Sequence, residues 1–188
     1  MTRELYYVTG NTGKFGEVKE FIDQAHGDID LKQIDIDLVE HQTLDQQAIA
    51  IEKAKQAWRV VQKPLLVDDA GVYFEAYHRF PGTLTKFVYQ GIGFKGILKL
   101  IEDDHRAYYQ IYLVYIDGPD SYQIFEDRCD GNIVEPKELK AHTSLPFDDI
   151  FVPNGTDKTY AELRQNHDED WYPCRVRAVQ KFLAWYKK

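Results

Sequence analysis

The sequence predicts a mixed α/β fold, in which some neighbouring strands run parallel and others antiparallel. Its opening is typical of strand, loop and helix, because the apolar run Leu5–Thr9 precedes residues at helical spacing. A second helix over Ala48–Val61 precedes the apolar run Pro64–Val67, so helices and strands alternate early. The turn residues Gly118-Pro119-Asp120 later separate two β-rich runs, which indicates a hairpin. Early alternation and a late hairpin together favour a mixed sheet over a purely parallel one.

The part of the chain before Pro64 carries four predicted elements, of which the strand Leu5–Thr9 is the first. The helix after Leu5–Thr9 is marked by an apolar stripe of Phe15, Val18, Phe21, Ile22 and Ala25. Leu31–Leu38 alternates apolar and polar residues, as a half-buried strand does. The helix Ala48–Val61 has its own stripe, formed by Ile51, Ala54, Trp58 and Val61. Pro64 stops this helix, because proline lacks the backbone N–H that a helix interior requires.

The rest of the chain begins with the apolar strand Pro64–Val67. We expect this strand to end at Asp68-Asp69-Ala70-Gly71, where polar residues and a glycine follow the apolar run. The remaining predicted elements are a helix over Phe94–Glu102, strands over Ala107–Ile116 and Tyr122–Phe125, a turn at Asn154-Gly155 and a helix over Arg175–Tyr186.

Length, charge and composition limit the class of protein. A chain of 188 residues with no linker, low-complexity run or internal repeat predicts a single domain over 1–188. Its formal net charge of −8 repels nucleic-acid backbones, so we expect no nucleic-acid partner. The two cysteines form no disulfide framework, and no apolar run has the length of a signal peptide or a membrane span. We therefore expect a cytoplasmic protein with no membrane partner.

The segment Thr9–Lys14 is the first candidate site. Small and polar residues lie between a strand and a helix N-terminus, where backbone N–H groups and the helix dipole favour an anion. Lys14 adds a full positive charge. A Walker A loop would require glycine where this chain has Val8, and Ser or Thr where it has Phe15. Two interpretations stay open: a phosphate-binding loop of another kind, or an ordinary polar loop with a solvated lysine.

Three carboxylates form the second candidate site. Asp68 and Asp69 follow a predicted buried strand, and Glu40 ends an earlier one. Carboxylate oxygens are ligands that Mg²⁺ prefers, with water and substrate phosphates completing its coordination. One of the three could also orient or deprotonate an attacking water. The alternative is a solvated pair of aspartates at a turn, and only the combination with Lys14 favours the functional interpretation.

Several motifs follow one another along nearly the whole chain. The first is Thr9-x-Asn11-x-x-Lys14-x-x-Glu17, and the second is Val67-Asp68-Asp69-Ala70-Gly71-Val72. The later motifs are Phe80-Pro81-Gly82 with Lys86 a few residues on, then Phe147–Gly155, Lys158–Leu163 and Arg175–Ala178. In their order and spacing, these motifs resemble those of the inosine triphosphate pyrophosphatase (HAM1-like) family.

The resemblance implies a fold, an activity and an assembly. The fold is an elongated mixed α/β fold with two lobes flanking a central cleft, and the assembly is a homodimer. The activity is that of a nucleoside-triphosphate pyrophosphatase, a hydrolase of nucleotide metabolism that uses Mg²⁺ as its cofactor. Its substrates would be non-canonical purine triphosphates such as ITP, dITP and XTP, cleaved between the α- and β-phosphates to the monophosphate and pyrophosphate.

Carried over position by position, the resemblance also assigns roles to residues. The substrate-binding residues would be Thr9, Asn11, Lys14, Lys86, Phe147, Asp148 and Arg175. The first four would hold the phosphates, and the last three would line the base pocket. The metal ligands would be Glu40, Asp68 and Asp69. The catalytic residues would be Asp69, Asp68 and Lys14, with Asp69 favoured as the base that handles the attacking water.

The departures from the family lie in the half that resembles its base-recognition site. Pro173-Cys174 stands where the family has Ser-His, and the acidic stretch His167–Asp170 replaces a lysine. Leu145-Pro146 replaces Phe-Gly, and Asp149 replaces a proline. An unpaired buried donor or acceptor costs about 1–3 kcal/mol, so these changes predict a shifted or broadened base preference.

Two other functions stay open at this point. A nucleotide-binding protein could sense or sequester a nucleotide without turnover, although such a protein has less use for several carboxylates beside a triphosphate. A plain structural or interaction module would make the ordered motifs a coincidence. Release of phosphate groups in the presence of Mg²⁺ separates the pyrophosphatase from both alternatives.

We expect the base preference of this chain to be altered while its triphosphate chemistry persists. The measurement is hydrolysis of ITP, XTP, dUTP and the four standard dNTPs by the purified protein with Mg²⁺. Because the changed residues would remove hydrogen-bond donors to purine oxygens, the expected result is turnover without a sharp preference for ITP and XTP. A clean preference for those two nucleotides would contradict the prediction.

Overall fold

The computed structural model describes residues 2–25, 28–136, 145–165 and 173–187. The strands in these ranges are β1 (Arg3–Val8), β2 (Ile29–Ile34), β3 (Leu65–Phe74), β4 (Pro81–Gly82), β5 (Arg106–Ile116), β6 (Tyr122–Ile133) and β7 (Phe151–Pro153). The helices are α1 (Thr12–Ala25), α2 (Gln46–Val61), α3 (Thr85–Leu100), α4 (Tyr160–Gln165) and α5 (Cys174–Tyr186), with a 3₁₀ turn at Pro146–Asp149. No helix in the described ranges is long and apolar enough to span a membrane.

The strands form one mixed sheet, as the sequence predicts. Its order is β2-β1-β3-β5-β6-β7, and the short β4 pairs with β3. β1 runs parallel to β2 and to β3, whereas β4 runs antiparallel to β3 and β7 antiparallel to β6. Parallel neighbours require a long crossover, and α1 and α2 supply the crossovers between β1, β2 and β3. Because β1 and β3 are neighbouring strands, the loop after β1 lies beside the middle of β3.

The chain divides into two compact units. The first comprises Met1–Asp69, Ile111–Asp127 and Arg175–Lys188, and the second comprises Ala70–Gln110 and Arg128–Cys174. The sequence predicts a single domain over 1–188, and this stays a prediction.

Small residues on α2 build the core of the first unit. Ala50, Ala54 and Ala57 are fully buried and pack against apolar strand residues: Val8, Leu65, Val67, Val114 and Ile116. Alanine side chains let the helix axis approach the sheet closely, and they favour the helix at the same time. The helix begins at a side-chain cap, since Asp45 accepts a hydrogen bond from the Ala48 N–H, and it ends where Gln62 turns left-handed. α2 is thereby fixed in place under the strands that carry the candidate site.

A close backbone approach joins β3 and β4 in the second unit. Val72 pairs with Gly82 across the two strands, and Gly71 lies so near that an added Cβ would meet the Gly82 carbonyl oxygen at 2.6 Å. Thr85 completes the junction, because its Oγ1 accepts from the Val72 N–H at 2.9 Å and donates to the Gly82 carbonyl oxygen at 2.6 Å. The first turn of α3 is thus tied to the middle of the sheet.

The sequence placed the end of β3 wrongly. The strand does not stop at Asp68 but continues through Asp69, Ala70 and Gly71 to Phe74. Two features permit this: the Asp68 charge is compensated inside the fold, as described below, and Val72-Tyr73-Phe74 restores strongly β-forming residues. The aspartates are therefore strand residues whose side chains point to opposite faces of the sheet.

Other predicted boundaries also differ from the structure. β2 ends at Ile34, so Glu40 does not end a strand and lies in the irregular segment before α2. The Gln56 side chain explains this, since its amide exchanges two hydrogen bonds of 2.9 Å with the Val39 backbone and holds the segment against α2. α3 begins at Thr85, earlier than predicted, and Gly93 interrupts it with a φ of 58°. β6 is longer than predicted, whereas the helices α1, α2 and α5 are confirmed.

Gly71→Ala is expected to lower the free energy of unfolding by about 1–3 kcal/mol, because the new methyl group meets a backbone oxygen that no side-chain motion can clear. Gly16→Ala is the matched control: Gly16 is exposed on α1, and an added Cβ there has no heavy atom within 4 Å. The control is expected to be stabilising by about 0.5–1 kcal/mol. Urea unfolding measures both variants, and equal effects would contradict the close approach.

Candidate functional site

The loop between β1 and α1 is shaped by its own side chains. Thr9 Oγ1 accepts a hydrogen bond from the Asn11 N–H at 3.1 Å, and Asn11 Oδ1 accepts from the Lys14 N–H at 3.0 Å. Asn11 thus caps the N-terminus of α1, which explains why the helix begins at Thr12. From β2, the Gln33 side-chain amide donates to the Thr9 carbonyl oxygen at 2.8 Å. The loop is a formed turn whose helix N-terminus favours a negatively charged ligand.

The Asp68 carboxylate is the most deeply buried charge of the site. Its side chain is 1% exposed. The Tyr7 hydroxyl donates to Oδ1 at 2.7 Å, and the Lys14 ammonium group lies 3.2 Å from each carboxylate oxygen. The Arg175 Nε donates to Oδ2 at 3.2 Å. Residues from β1, α1 and α5 therefore meet at one strand residue of β3.

Arg175 is held from its other end by Glu17. The Arg175 Nη1 lies 2.5 Å from Glu17 Oε2, and the two side chains are only 8% and 5% exposed. The sequence grouped Arg175 with Phe147 and Asp148 as residues of a base pocket. In the structure Arg175 belongs to the first unit with Asp68, whereas Phe147 and Asp148 belong to the second. Its role at the base stays a prediction.

A second lysine joins the other two acidic residues. The Lys53 ammonium group, on α2, lies 2.7 Å from Glu40 Oε1 and 3.3 Å from Asp69 Oδ1. The side chains of Lys53 and Asp69 are 12% and 13% exposed, whereas that of Glu40 is 51% exposed. Lys53 also approaches the Asp68 carbonyl oxygen at 3.4 Å. Two carboxylates thus converge on one positive charge at the edge of the buried cluster.

The two aspartates have opposite pKa shifts. Burial alone would raise the pKa of Asp68, but the charges of Lys14 and Arg175 outweigh it and hold that pKa well below its usual range. Burial also raises the pKa of Asp69, and there the attraction of Lys53 and Lys14 does not compensate, so the net shift is upward. Asp68 is therefore a permanent anion, while Asp69 is the carboxylate that takes up a proton more readily.

The pKa values of Lys14 and Lys53 are also shifted in opposite directions. Burial lowers the pKa of Lys14 more than the attraction of Asp68 raises it. Burial also disfavours the Lys53 ammonium ion, but Asp69 and the hydrogen bond to Glu40 outweigh it, so the pKa of Lys53 is raised. Both groups bring positive charge into a poorly solvated environment, where it interacts strongly with a phosphate group.

The arrangement of acidic groups bears on the predicted metal site. In the ranges described, no three or more His, Cys, Asp or Glu side chains are placed to hold a metal ion by themselves. Glu40 and Asp69 converge on one cation, Lys53, whereas Asp68 faces Tyr7, Lys14 and Arg175. A pair of carboxylates fits Mg²⁺, which is usually held by one or two carboxylates together with substrate phosphates and water. The donor chemistry of Glu40 and Asp69 therefore suits that ion.

Asp148 is buried in the second unit, within the 3₁₀ turn Pro146–Asp149. The Tyr109 hydroxyl donates to its Oδ1 at 3.1 Å, and the Arg164 Nη2 donates to its Oδ2 at 2.5 Å. A capping box at the start of α4 positions Arg164, since Thr159 and Glu162 exchange side-chain-to-backbone hydrogen bonds. Asp148 is thus oriented by two groups that the sequence did not single out.

The other residues predicted for the substrate lie in the second unit as well. Phe147 is 3% exposed and meets the Tyr89 ring edge to face, with 6.1 Å between the ring centroids. Lys86 is exposed in the first turn of α3, and no ion pair joins it to another residue that the structure describes. The acidic stretch His167–Asp170 lies outside the described residues, and Cys174 is buried at the start of α5.

Sequence reasoning missed Tyr7 and Lys53, which contact the aspartates of the first unit, and Arg164, which orients Asp148 in the second. Lys53 follows the buried Ala50 by three positions, which puts it at the edge of the face that α2 packs against the sheet. That spacing was the available signal. The partner of Tyr7 is 61 residues away along the chain, and local periodicity contains no information about such a pair.

Comparison with known proteins adds to this geometry. A model of the Ham1 family matches residues 5–185. The chain belongs to the Ham1 family. The dITP/XTP pyrophosphatase of Thermococcus kodakarensis is 32% identical over 186 residues, covering 98% of this chain and 97% of the relative. The dITP/XTP pyrophosphatase of Saccharolobus solfataricus is 36% identical over 177 residues, covering 93% and 89%. Inosine triphosphate pyrophosphatase 2 of Trypanosoma cruzi is 34% identical over 180 residues, covering 94% and 89%.

Solved structures confirm the fold class. The Ham1 protein of Staphylococcus aureus has a TM-score of 0.76 and 20% identity, and the match covers 98% of each chain. A HAM1 protein of Coxiella burnetii has a TM-score of 0.73 and 20% identity, covering 98% of this chain and 99% of that one. The mixed α/β fold predicted from the sequence is therefore that of Ham1 proteins.

The two aspartates predict opposite effects on stability at neutral pH. Asp68→Asn is expected to be destabilising by about 3–5 kcal/mol, because it leaves the buried Lys14 and Arg175 charges without their anion. Asp69→Asn is expected to raise the free energy of unfolding, because ionised Asp69 is disfavoured by burial and Lys53 keeps Glu40 as its partner.

The effects of the two aspartates on stability depend on pH in opposite ways. Since the pKa of Asp68 is lowered by folding, its stabilising effect is present above the ordinary carboxyl range and is lost as the pH falls toward its folded value. Since the pKa of Asp69 is raised, its cost is absent at acidic pH and appears as the pH rises. Urea unfolding at neutral and acidic pH measures both, and effects of equal sign at neutral pH would contradict the assignment.

Proposed function

We propose that this chain is a nucleoside-triphosphate pyrophosphatase, a hydrolase that cleaves a nucleotide between its α- and β-phosphates and uses Mg²⁺. Its substrates include non-canonical purine nucleotides of the ITP, dITP and XTP class, with a base preference shifted or broadened by the changes in its base-recognition half. The relatives named dITP/XTP pyrophosphatase support this proposal, since they match the chain nearly end to end. They also disfavour the alternative of a nucleotide sensor without turnover.

The observation that carries the proposal is the pairing of two buried lysines with two adjacent aspartates. A triphosphate is a concentrated negative charge, and Lys14 and Lys53 offer positive charge where little water screens it. The N-terminus of α1 adds backbone N–H groups and the positive end of a helix dipole. We assign Thr9 and Asn11 to the walls of this phosphate-binding loop, with Lys14 contacting the phosphates directly.

Glu40 and Asp69 are the residues that would hold Mg²⁺, because their carboxylates already converge on a cation. The bound ion would neutralise charge on the phosphate oxygens and orient them for attack. Asp68 is less suited to the ion than the sequence suggests, since each of its oxygens already has donors within the protein. We therefore assign Asp68 to the positioning of Lys14.

Asp69 is the proposed general base. In the protein without metal, burial raises the pKa of Asp69, so its carboxylate takes up a proton more readily than that of Asp68, which Lys14 and Arg175 hold ionised. The oxygen of the water bonds to the α-phosphorus, and a proton of the water passes to Asp69. The bond between the α-phosphorus and the bridging oxygen breaks, and pyrophosphate leaves. Lys14 and Lys53 stabilise the charge that moves onto the phosphate oxygens.

The remaining assignments belong to the second unit and to the whole molecule. Lys86 is assigned to the phosphates, and Phe147 and Asp148 are assigned to the base, as the family resemblance implies. We also propose a cytoplasmic homodimer. The helix α3 supports a partner surface, because Phe87 and Ile92 are 56% and 45% exposed. Light scattering of the purified protein tests the dimer.

Asp69→Asn is expected to lower the release of pyrophosphate by on the order of 10²–10⁴-fold, since the attacking water loses its base. The assay follows pyrophosphate and orthophosphate separately during hydrolysis of ITP, XTP and the standard dNTPs with Mg²⁺. Asp23→Asn is the control, because Asp23 is half exposed and pairs only with Lys19 among the ion pairs described. Its activity is expected to match that of the wild type.

Two further readouts belong to the same assay. Chelation of the metal with EDTA is expected to abolish turnover, and activity is expected to fall at acidic pH, where the base becomes protonated. Orthophosphate as the first product, or full activity of Asp69→Asn, would contradict the proposed function.

A further inference from the structure

Arg175 reaches the site from the C-terminal helix and pairs with two carboxylates. It lies at the second position of α5, and its guanidinium group joins Asp68 through Nε and Glu17 through Nη1. All three side chains are less than a tenth exposed. An arginine so enclosed by two carboxylates has its hydrogen-bonding directions fixed by the protein.

Asp68 passes this constraint on to Lys14. The carboxylate oxygen Oδ2, which accepts from Arg175, lies 3.2 Å from the Lys14 ammonium group. The other oxygen, Oδ1, accepts from both Lys14 and the Tyr7 hydroxyl. With Tyr7 on one side and Arg175 on the other, the carboxylate has one orientation, and the lysine lies against both of its oxygens.

We propose that Arg175 is a positioning residue for triphosphate hydrolysis: with Glu17 it orients Asp68, and Asp68 in turn fixes the Lys14 ammonium group that faces the phosphates. This inference rests on the proposed function and replaces the assignment of Arg175 to the base pocket. The hydrogen bonds that lead from Glu17 through Arg175 and Asp68 to Lys14 join residues of the first unit.

The chemistry of the two cations explains why an arginine is needed. A lysine ammonium group is a point charge on a flexible stem, so by itself it does not fix a direction. A guanidinium group is planar, and its N–H groups point along set directions toward Asp68 and Glu17. Arg175→Lys keeps the charge and removes this geometry, so it separates positioning from simple charge balance.

A double-mutant cycle tests the proposal. Arg175→Lys is expected to lower kcat by on the order of 10²-fold, because a small misplacement of a catalytic charge has an effect of that size. The loss is expected to be equal for every nucleotide that the wild type hydrolyses, since the base is not involved. In a Lys14→Met background, Arg175→Lys is expected to cause little further loss, because the group that it positions is already gone.

Arg177→Lys is the matched control on the same helix. Arg177 also pairs with a largely buried carboxylate, that of Asp127, at 2.8 Å from Nε, and Asp127 pairs in addition with Lys181, which is not a residue of the site. Its kcat is expected to equal that of the wild type. Thermal unfolding of each variant shows whether it is folded, and Glu17→Gln provides a milder perturbation if Arg175→Lys does not fold.

A second readout does not depend on turnover. The side-chain ¹⁵N signal of Lys14, assigned by its loss in Lys14→Met, is expected to shift in Arg175→Lys and in Glu17→Gln but not in Arg177→Lys. An unchanged Lys14 signal in Arg175→Lys would overturn the inference. A wild-type protein that hydrolyses no triphosphate would overturn the proposed function instead, and the Lys14 signal can still be measured in that case. Losses that differ from base to base, or that add in the double variant, would also overturn the inference.

Discussion

The fold of the first unit depends on how one buried carboxylate, that of Asp68, is compensated. An isolated ion in the interior would cost several kcal/mol, so a buried charge persists only where partners with good geometry surround it. Here the partners come from different elements: Tyr7 from β1, Lys14 from α1 and Arg175 from α5. The same contacts that make the charge tolerable also hold a strand and two helices against β3. Stability and the arrangement of the site are therefore parts of one interaction.

The adjacent residue has a different environment because β3 alternates. Asp68 faces the arginine and the tyrosine, whereas Asp69 faces Lys53 and Glu40. Asp68 is thereby kept ionised, and its oxygens accept hydrogen bonds from protein groups. Asp69 has a raised pKa and pairs with Lys53, whose positive charge could also interact with a phosphate group. A pair of aspartates at a turn would both be solvated and alike. Because the two aspartates lie inside a strand, their side chains face different environments and can have different roles.

Much of the fold could be predicted from local patterns. The helices α1, α2 and α5 are visible in the spacing of their apolar residues, and β1 is visible as a short apolar run before glycine. The continuation of β3 could not be predicted, because the aspartates look like the end of a strand until their partners are known. Those partners are distant: Arg175 is 107 residues from Asp68 and 158 from Glu17.

The candidate site shows the same division. The motif around Thr9, Asn11 and Lys14 identified the loop, but it could not reveal that Asn11 caps α1 or that Lys14 rests on Asp68. Nor could it reveal Lys53, which has the sequence context of an ordinary helix-surface lysine. Residue type and order indicate which groups take part, whereas tertiary contacts decide which of them face one another.

The central claim is that Asp68 and Asp69 are in different ionisation states over the same pH range. The most direct measurement is the titration of both side-chain carboxyl groups by ¹³C NMR in the protein without nucleotide. We expect Asp68 to stay ionised below the usual carboxyl range and Asp69 to have a pKa above the ordinary aspartate value. Two titrations that coincide within the usual range would contradict it.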